Sequence, residues 1–444
     1  MKPGVLLISD QVMLKAANQV LFQTVRGLLE DDFRVCLVLD GKTGHDKKNI
    51  ASLQELFPDF MEQLEVHYFK VYGSWLFSIL NKVKSIVARK KKPGGKLAAG
   101  SFPSSNSVTG FDKTRIGFTY ISDLKFELKW IAAFRTAKKA SKGFAPDLIC
   151  GFEIGGAIPA EKLSNYLGIP FYTKYMGSIV FPYIESNSLH KVRPYVKGLT
   201  VKSHLHFMHN DGTKGDKAQI FLGVKPETIR IRIDGLEKEK FSDLPDRNQC
   251  MVELNLPLQT DDFICLSLSN HNAGYKRLDR VIRAISELSR MYPKIKLILV
   301  GEGQNTQALK DLAEVSGSKL NIVFLPKVTH QQVPLILNLA NVYLNTNDVS
   351  NLSHPVLEAM ISGTAVVSMS DGSLDGVIDS GKTGLLVNPT QCSSQLPKAI
   401  ETLYKDRKLL NHLGENAKNF AVNNLFSWDE KNRIELDEIR SLLE

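Results

Sequence analysis

The residues best suited to chemistry in this chain lie between positions 342 and 372, VYLNTNDVSNLSHPVLEAMISGTAVVSMSDG. An apolar run ends in a polar loop, a short helical stretch follows, and a second apolar run closes the unit. Pro355 suits the first helical turn, where its missing N–H is no loss, and Gly363 suits the helix exit. Asn351, Leu352 and Ser353 therefore precede a helix N-terminus, where backbone amides can point at an anion and the helix dipole favours negative charge. A diphosphate fits such a cradle. Glu358 reads as a first-turn carboxylate, stabilised by the dipole and able to accept hydrogen bonds from ribose hydroxyls. Helix physics alone also accommodates it as a plain first-turn charge.

Lys276 and Arg277 follow another apolar run, FICLSLS (263 to 269). Basic residues at the carboxyl end of a strand are placed to neutralise phosphate, whereas a solvated face would hold them equally well. In the first half, Gly151-Phe152-Glu153 and Tyr175-Met176-Gly177-Ser178 both follow strand-like runs and point towards the same kind of cleft. Glu153 is the expected polar contact to an acceptor, with Gly177 on the same side, and a solvated loop-end carboxylate is the plainer alternative. His204, His206 and His209 lie along a strand and turn with no paired carboxylate, so no metal site is expected there.

The elements that must hold these residues alternate between apolar β-rich runs and amphipathic helical stretches, the pattern of α/β folds with parallel sheets. GVLLISD (4 to 10), a helix over 15–29 and FRVCLVLDG (33 to 41) begin one series, which continues through DLICGF and IPFYTKYMG to about residue 233. The polar stretch from Asp234 to Gln249 reads as a hinge. A second series starts afresh at Phe263 and runs through IKLILVG, NIVFLP, VYLNT and AVVSMS to GLLV (384 to 387). The expected architecture is two Rossmann-like doubly wound domains, residues 1–235 and 236–425, facing each other across a cleft. A last helix within 426–444 is expected to cross back over that cleft. Ligands of open parallel sheets sit beyond the carboxyl ends of the strands, so the chemistry belongs between the two sheets.

The run Pro355-Val356-Leu357-Glu358-Ala359-Met360, followed by Gly363-Thr364-Ala365-Val366-Val367 and by Gly381-Lys382-Thr383-Gly384-Leu385-Leu386-Val387, resembles the signature of the family 4 retaining glycosyltransferases (glycosyl transferases group 1). That resemblance implies the two-domain GT-B fold, with the N-terminal domain binding the acceptor and the C-terminal domain a nucleotide-sugar donor. It implies that Glu358 is the second glutamate of an E-x7-E motif and holds the donor ribose. The sequence departs from the motif at the first glutamate, because Ser350 stands eight residues before Glu358. The segment 267–285 resembles the loop in which an Arg and a Lys neutralise the donor diphosphate. Lys276 takes the Lys position, and the Arg position falls on His271, or on Asn270 in an alignment shifted by one. Val300-Gly301-Glu302-Gly303 looks like the family's turn near the nucleobase, Arg232-Ile233-Asp234-Gly235 like its hinge, and Phe426-Ser427-Trp428 like the start of its closing helix.

The implied activity is transfer of a hexose or N-acetylhexosamine from a UDP- or GDP-sugar to a hydroxyl of a glycan or lipid-linked acceptor, with retention. Lys276, Glu358 and Ser350 form the implied reacting set. His271, Gly301, Glu302 and the Asn351–Ser353 loop are implied to complete the donor site. Basic side chains and helix amides can carry the leaving charge, so neither a metal nor another cofactor is expected. The missing glutamate and arginine also fit a non-catalytic partner of the same fold, and a nucleotide-sugar epimerase shares the architecture.

Composition narrows the remaining choices. The chain has 444 residues, 43% hydrophobic and 23% charged, an ordinary globular balance. Five scattered cysteines without a CxxC pair point to a reducing, cytoplasmic compartment. No apolar stretch approaches the roughly 18 uninterrupted residues of a membrane span. The net charge of +9 is concentrated where no acidic residue occurs between Val71 and Phe111. Within 75–96 an apolar stripe at helical spacing runs beside Lys82, Lys84 and Arg89 to Lys92, which suits peripheral contact with an anionic membrane. The same pattern fits a core-packed helix with a solvated basic end. No nucleic-acid-binding motif accompanies the charge, and nucleic acid is not an expected partner.

Overall fold

The structure is a computed structural model that describes residues 2–10, 19–41, 57–71, 114–272 and 274–444, with the side chains of 114–122 excepted. The basic stretch 75–96 lies outside the described residues. Two all-parallel sheets organise the rest. The first contains β1 (Gly4–Ser9), β2 (Arg34–Asp40), β3 (Leu64–Phe69), β4 (Leu148–Phe152), β5 (Phe171–Tyr175), β6 (Leu205–His209) and β7 (Ile229–Arg232), in the order β3-β2-β1-β4-β5-β6-β7. The second contains β8 (Phe263–Leu268), β9 (Ile295–Val300), β10 (Ile322–Leu325), β11 (Val342–Asn345), β12 (Ala365–Met369) and β13 (Leu385–Val387), in the order β10-β9-β8-β11-β12-β13. Both are α/β doubly wound sheets of the Rossmann order, and together they make the GT-B architecture.

Central strands buried on both faces read as unbroken apolar runs rather than alternating ones. All six residues of β1 are buried, and Val5 is in register with Val35 on one side and Leu148 on the other. Helices cover both faces. Leu278–Leu288 buries Leu278, Val281, Ile282, Ile285 and Leu288, a stripe at three- and four-residue spacing. The helix Thr114–Phe144, 31 residues long, was not among the expected elements. It buries Trp130, Ala133, Ala137, Ala140 and Phe144 against the first sheet, and the Trp130 indole N–H donates to the Ile154 carbonyl at 3.1 Å.

The segment expected as a hinge also carries structure. Asp246 caps the helix Arg247–Glu253 through a capping box with Gln249. At the C-terminus, Ser427 and Glu430 form a second capping box that opens the helix Trp428–Arg440. Trp428, Leu436 and Ile439 of that helix are buried among Leu21, Val25 and Leu28 of the first domain. Asn432 donates to the Gln23 carbonyl at 3.1 Å, and Gly27 leaves it room, since a Cβ there would lie 2.9 Å from its amide nitrogen. The last helix thus returns to the N-terminal domain. No helix among the described residues is long and apolar enough to cross a membrane.

Candidate functional site

In the second sheet the strand order reverses between β8 and β11, and the strand-end loops diverge there. A cavity of about 550 Å³ occupies this crevice. Its wall is built from Ser267 to Asn270 after β8, Val300 to Glu302 after β9, Lys327, Val328 and His330 after β10, and Tyr343, Asn345 and Asn347 at the end of β11. Lys276, Leu278, Val333, Ser353 and Pro355 complete it. The ring of Tyr343 is almost fully buried, and its hydroxyl donates to the Leu268 carbonyl at 3.3 Å, tying the two central strand ends together.

Lys276 projects into the cavity, and no ion-pair partner holds its ammonium among the described residues. Burial pushes its pKa down and the nearby Asp211 carboxylate works against that shift. A partly desolvated, uncommitted cation has a strong incentive to take an anionic ligand. Arg277 is committed elsewhere, bonded to Asp279 at 3.0 Å and to Asp348 at 3.4 Å. Lys327 and His330 add basic character that sequence reasoning missed. The signal was the segment LPKVTH, which leaves the end of an apolar run as SLSNHNAGYK does.

Gly301 adopts φ +131°, and a Cβ on it would come within 1.9 Å of the Ser269 carbonyl oxygen. The turn therefore lies directly against the β8 loop, and Glu302 presents its exposed side chain at the cavity rim. His271 is 2% exposed and does not line the cavity. Its Nδ1 pairs with Thr306 Oγ1 at 2.9 Å, its backbone N–H donates to the Glu302 carbonyl, and burial lowers its pKa. An imidazole behind the wall is not placed to meet a phosphate in the cavity. Asn270, the residue of the shifted alignment, is the one on the wall.

The loop before the helix His354–Ser362 divides its labour. Asn351 is fully buried and serves the loop itself: its side chain donates to Asn347 O at 3.1 Å, its N–H donates to Ser373 Oγ at 3.1 Å, and its oxygens accept from Asn345. Leu352 is 1% exposed and packs in the core beneath the helix. Ser353 is the N-cap and lines the cavity; its amide and that of His354 have no protein acceptor among the described residues. Of the three loop residues, Ser353 is the one on the cavity wall. Glu358 is the fifth helical residue rather than a first-turn one, so dipole stabilisation at its position is attenuated. Its carboxylate has no hydrogen-bond partner among the described residues, and burial, with Glu237 nearby, raises its pKa to about 7. It acts electrostatically on the hydroxyl of Tyr343, which lines the cavity, but Glu358 itself is not part of the cavity wall.

Across the cleft, Glu153 opens the helix Glu153–Leu167 with φ +59°, and its Oε1 accepts the Met176 N–H at 2.6 Å. Burial, with Asp10 and Asp211 nearby, raises its pKa to about 7. Gly177 has φ +134°, and a Cβ there would lie 2.5 Å from Asp211 Oδ2. Ser350 also adopts a left-handed φ, +61°, and its hydroxyl donates to Asp211 Oδ2 at 3.2 Å. Asp211 lies in the loop after β6. The expectations for the three histidines concern this same region. His204 contacts Phe171, His206 pairs with Thr173 at 2.8 Å and is lowered to about 4 by burial, and His209 faces Asp234 at 3.2 Å. One group of potential metal ligands, Cys36, Glu65 and His67, sits on β2 and β3, strands that take no part in the cavity.

A switch-point cavity with an unpaired lysine and a helix N-terminus agrees with the sequence family that residues 255–420 match, described as glycosyl transferases group 1. That match covers just over a third of the chain. An uncharacterized glycosyltransferase of Methanocaldococcus jannaschii is 28% identical over 263 residues, 58% of this chain and 59% of that one. The GDP-mannose-dependent α-(1-6)-phosphatidylinositol monomannoside mannosyltransferase of Mycolicibacterium smegmatis is 27% identical over 201 residues, 44% of this chain and 51% of that one. The chain thus spans between half and three fifths of the length of these curated relatives. The chain superposes on the crystal structure of Anabaena HepE in complex with UDP and glucose, with a TM-score of 0.69 at 17% identity over 98% of this chain and 99% of that one.

Proposed function

We propose that the chain is a retaining glycosyltransferase that moves a hexose or N-acetylhexosamine from a UDP- or GDP-sugar to a hydroxyl of a glycan or lipid-linked acceptor. The observation that carries this reading is that Lys276, a lysine with no ion-pair partner among the described residues, lines one cavity together with Ser353, the N-cap of the helix His354–Ser362. The diphosphate would sit between them, where fixed donors stabilise charge that grows as the glycosidic bond breaks. Glu358 would accept the ribose hydroxyls, and the carboxylate of Glu153 with the Gly177 turn would face the acceptor. These groups carry the leaving charge without a metal or other cofactor. HepE was crystallised with UDP and glucose, and the mycobacterial relative uses GDP-mannose on a phosphatidylinositol mannoside, which supports a nucleotide-sugar donor and an amphiphilic acceptor. The acid-free basic run around residues 82–92 supports work at the cytoplasmic face of an anionic membrane.

The test is thermal stabilisation by UDP, GDP and ADP and their sugars, since a ligand that binds only the folded state raises its midpoint. One base should be selected, and the matching sugar nucleotide should turn over with an acceptor whose product keeps the donor's anomeric configuration. A protein that binds no nucleoside diphosphate would be a non-catalytic partner of the same fold. Sedimentation with vesicles of anionic and of neutral lipid tests the membrane contact.

A further inference from the structure

The carboxylate of Asp211, in the loop after β6, reaches across to Ser350 of the second domain, and its two oxygens are held differently. Oδ1 is occupied by its own turn: it accepts the Thr213 N–H at 2.9 Å and the Thr213 hydroxyl at 2.6 Å. Oδ2 accepts only the Ser350 hydroxyl, at 3.2 Å, and therefore keeps lone-pair capacity for a further donor. The turn is fixed from several sides. Asn210 N–H donates to the Arg232 carbonyl at 2.6 Å, Ser178 N–H donates to Thr213 Oγ1 at 2.8 Å, and Gly177 has no side chain to block Oδ2. On the far side, Gly212 lies so close to Ser373 that a Cβ would come within 1.8 Å of the serine Cβ. An aspartate so tightly held is not a solvated surface charge.

Its surroundings define what it can accept. Lys276 feels the charge of Asp211, and Ser350 follows Asn347, which lines the same cavity. A phosphate at Lys276 would repel a carboxylate at close range, so whatever lies between them must present neutral donors. Sugar hydroxyls next to a diphosphate meet that requirement. We propose that Asp211 binds the donor sugar: Oδ2, steadied by Ser350, accepts hydrogen bonds from hydroxyls of the sugar whose diphosphate lies at Lys276. This inference rests on the donor-site reading above. It also accounts for Ser350, because a glutamate at that position would press a second carboxylate against Asp211, whereas serine donates to it. The carboxylate absent from position 350 is supplied by the opposite domain, so the sugar is gripped only when the domains are closed.

The test compares nucleotide with sugar nucleotide. Calorimetry of wild type and Asp211→Asn is run with UDP and UDP-glucose, and with GDP and GDP-mannose. The variant should keep its nucleoside diphosphate affinity within about twofold and lose about tenfold to hundredfold in the sugar nucleotide, the range of a charge-assisted hydrogen bond. Ser350→Glu alone should lose the same increment, and Asp211→Ser with Ser350→Glu should regain most of it. Equal weakening of nucleotide and sugar nucleotide in Asp211→Asn would make Asp211 an interdomain latch and overturn the inference while leaving the donor site standing. A wild type that binds none of the four ligands would overturn the donor site itself, and the inference with it.

Discussion

Asp234, 3% exposed in the hinge, faces His354, the first residue of the helix that caps the donor cavity, at 3.4 Å. The same carboxylate faces His209 of the N-terminal domain at 3.2 Å and Lys431 of the returning helix at 3.6 Å. Lys431 pairs with Glu435 at 3.1 Å, and Glu435 with Lys174 on β5 at 2.5 Å. One buried carboxylate therefore joins both domains, the hinge and the last helix.

Asp234→Asn should destabilise the protein by about 3–5 kcal/mol, the usual result of leaving buried cations without a counter-charge. Burial opposes the charge of Asp234, but His209, His354 and Lys431 together hold its pKa well below the usual carboxylate range. A depressed carboxylate contributes stability above its unfolded pKa, and the contribution is lost as pH falls through the folded one. His209 behaves oppositely: although burial opposes its charge, Asp234 raises its pKa, so its contribution is complete in mild acid and fades as pH rises through the folded value. Urea unfolding of wild type and variant from pH 4 to pH 9 should show a gap that is full at the acid end and narrows as pH rises through the folded pKa of His209.

Glu358 should trade stability for binding. Its folded pKa of about 7 exceeds that of an unfolded glutamate, so the folded state binds the extra proton and stability falls as pH rises from about 4.5 through 7. Glu358→Gln should therefore raise the midpoint of the free protein at pH 8, by roughly 1–3 kcal/mol of stability. The same substitution should reduce the stabilisation that the selected nucleoside diphosphate gives, because an amide accepts ribose hydroxyls more weakly. Wild-type affinity should rise with pH through about 7 and the variant's should not.

Lys276→Ala should weaken nucleoside diphosphate binding by about tenfold to hundredfold, the value of a charge-assisted hydrogen bond. The nucleoside without phosphates should bind both proteins alike. Calorimetry with UDP and uridine, or with the guanine pair, reads the difference directly, and equal losses for both ligands would remove Lys276 from the phosphate site.

Two glycines should separate domain folding from domain closure. Gly301→Ala places a Cβ 1.9 Å from the Ser269 carbonyl at φ +131°, so the turn must move, with a loss of roughly 1–3 kcal/mol and of ligand binding. Gly212→Ala meets Ser373 of the other domain, so its effect should fall on the interdomain contact. Small-angle scattering should show a larger radius of gyration for Gly212→Ala than for wild type, while the nucleoside diphosphate still binds.

The sequence by itself determined the two sheets and the strand ends around which the cavity forms. Strands such as Val5–Ile8 and Ile295–Val300 are buried on both faces and must be written as continuous apolar runs, and the loops that follow them carry the ligand groups. Pro355, Gly363 and Gly301 were legible for a similar reason, since each answers a local backbone requirement. Only the tertiary structure decided that His271 turns inward to Thr306, that the side chain of Asn351 is used up within its loop while Leu352 packs in the core, and that the amides of Ser353 and His354 have no protein acceptor among the described residues. It alone brought Asp211 to Ser350, 139 residues away in sequence, and set Asp234 among His209, His354 and Lys431. Periodicity and capping act over a few neighbouring residues, whereas the partner of a charge at a domain boundary is fixed by how two independently folded sheets close on each other.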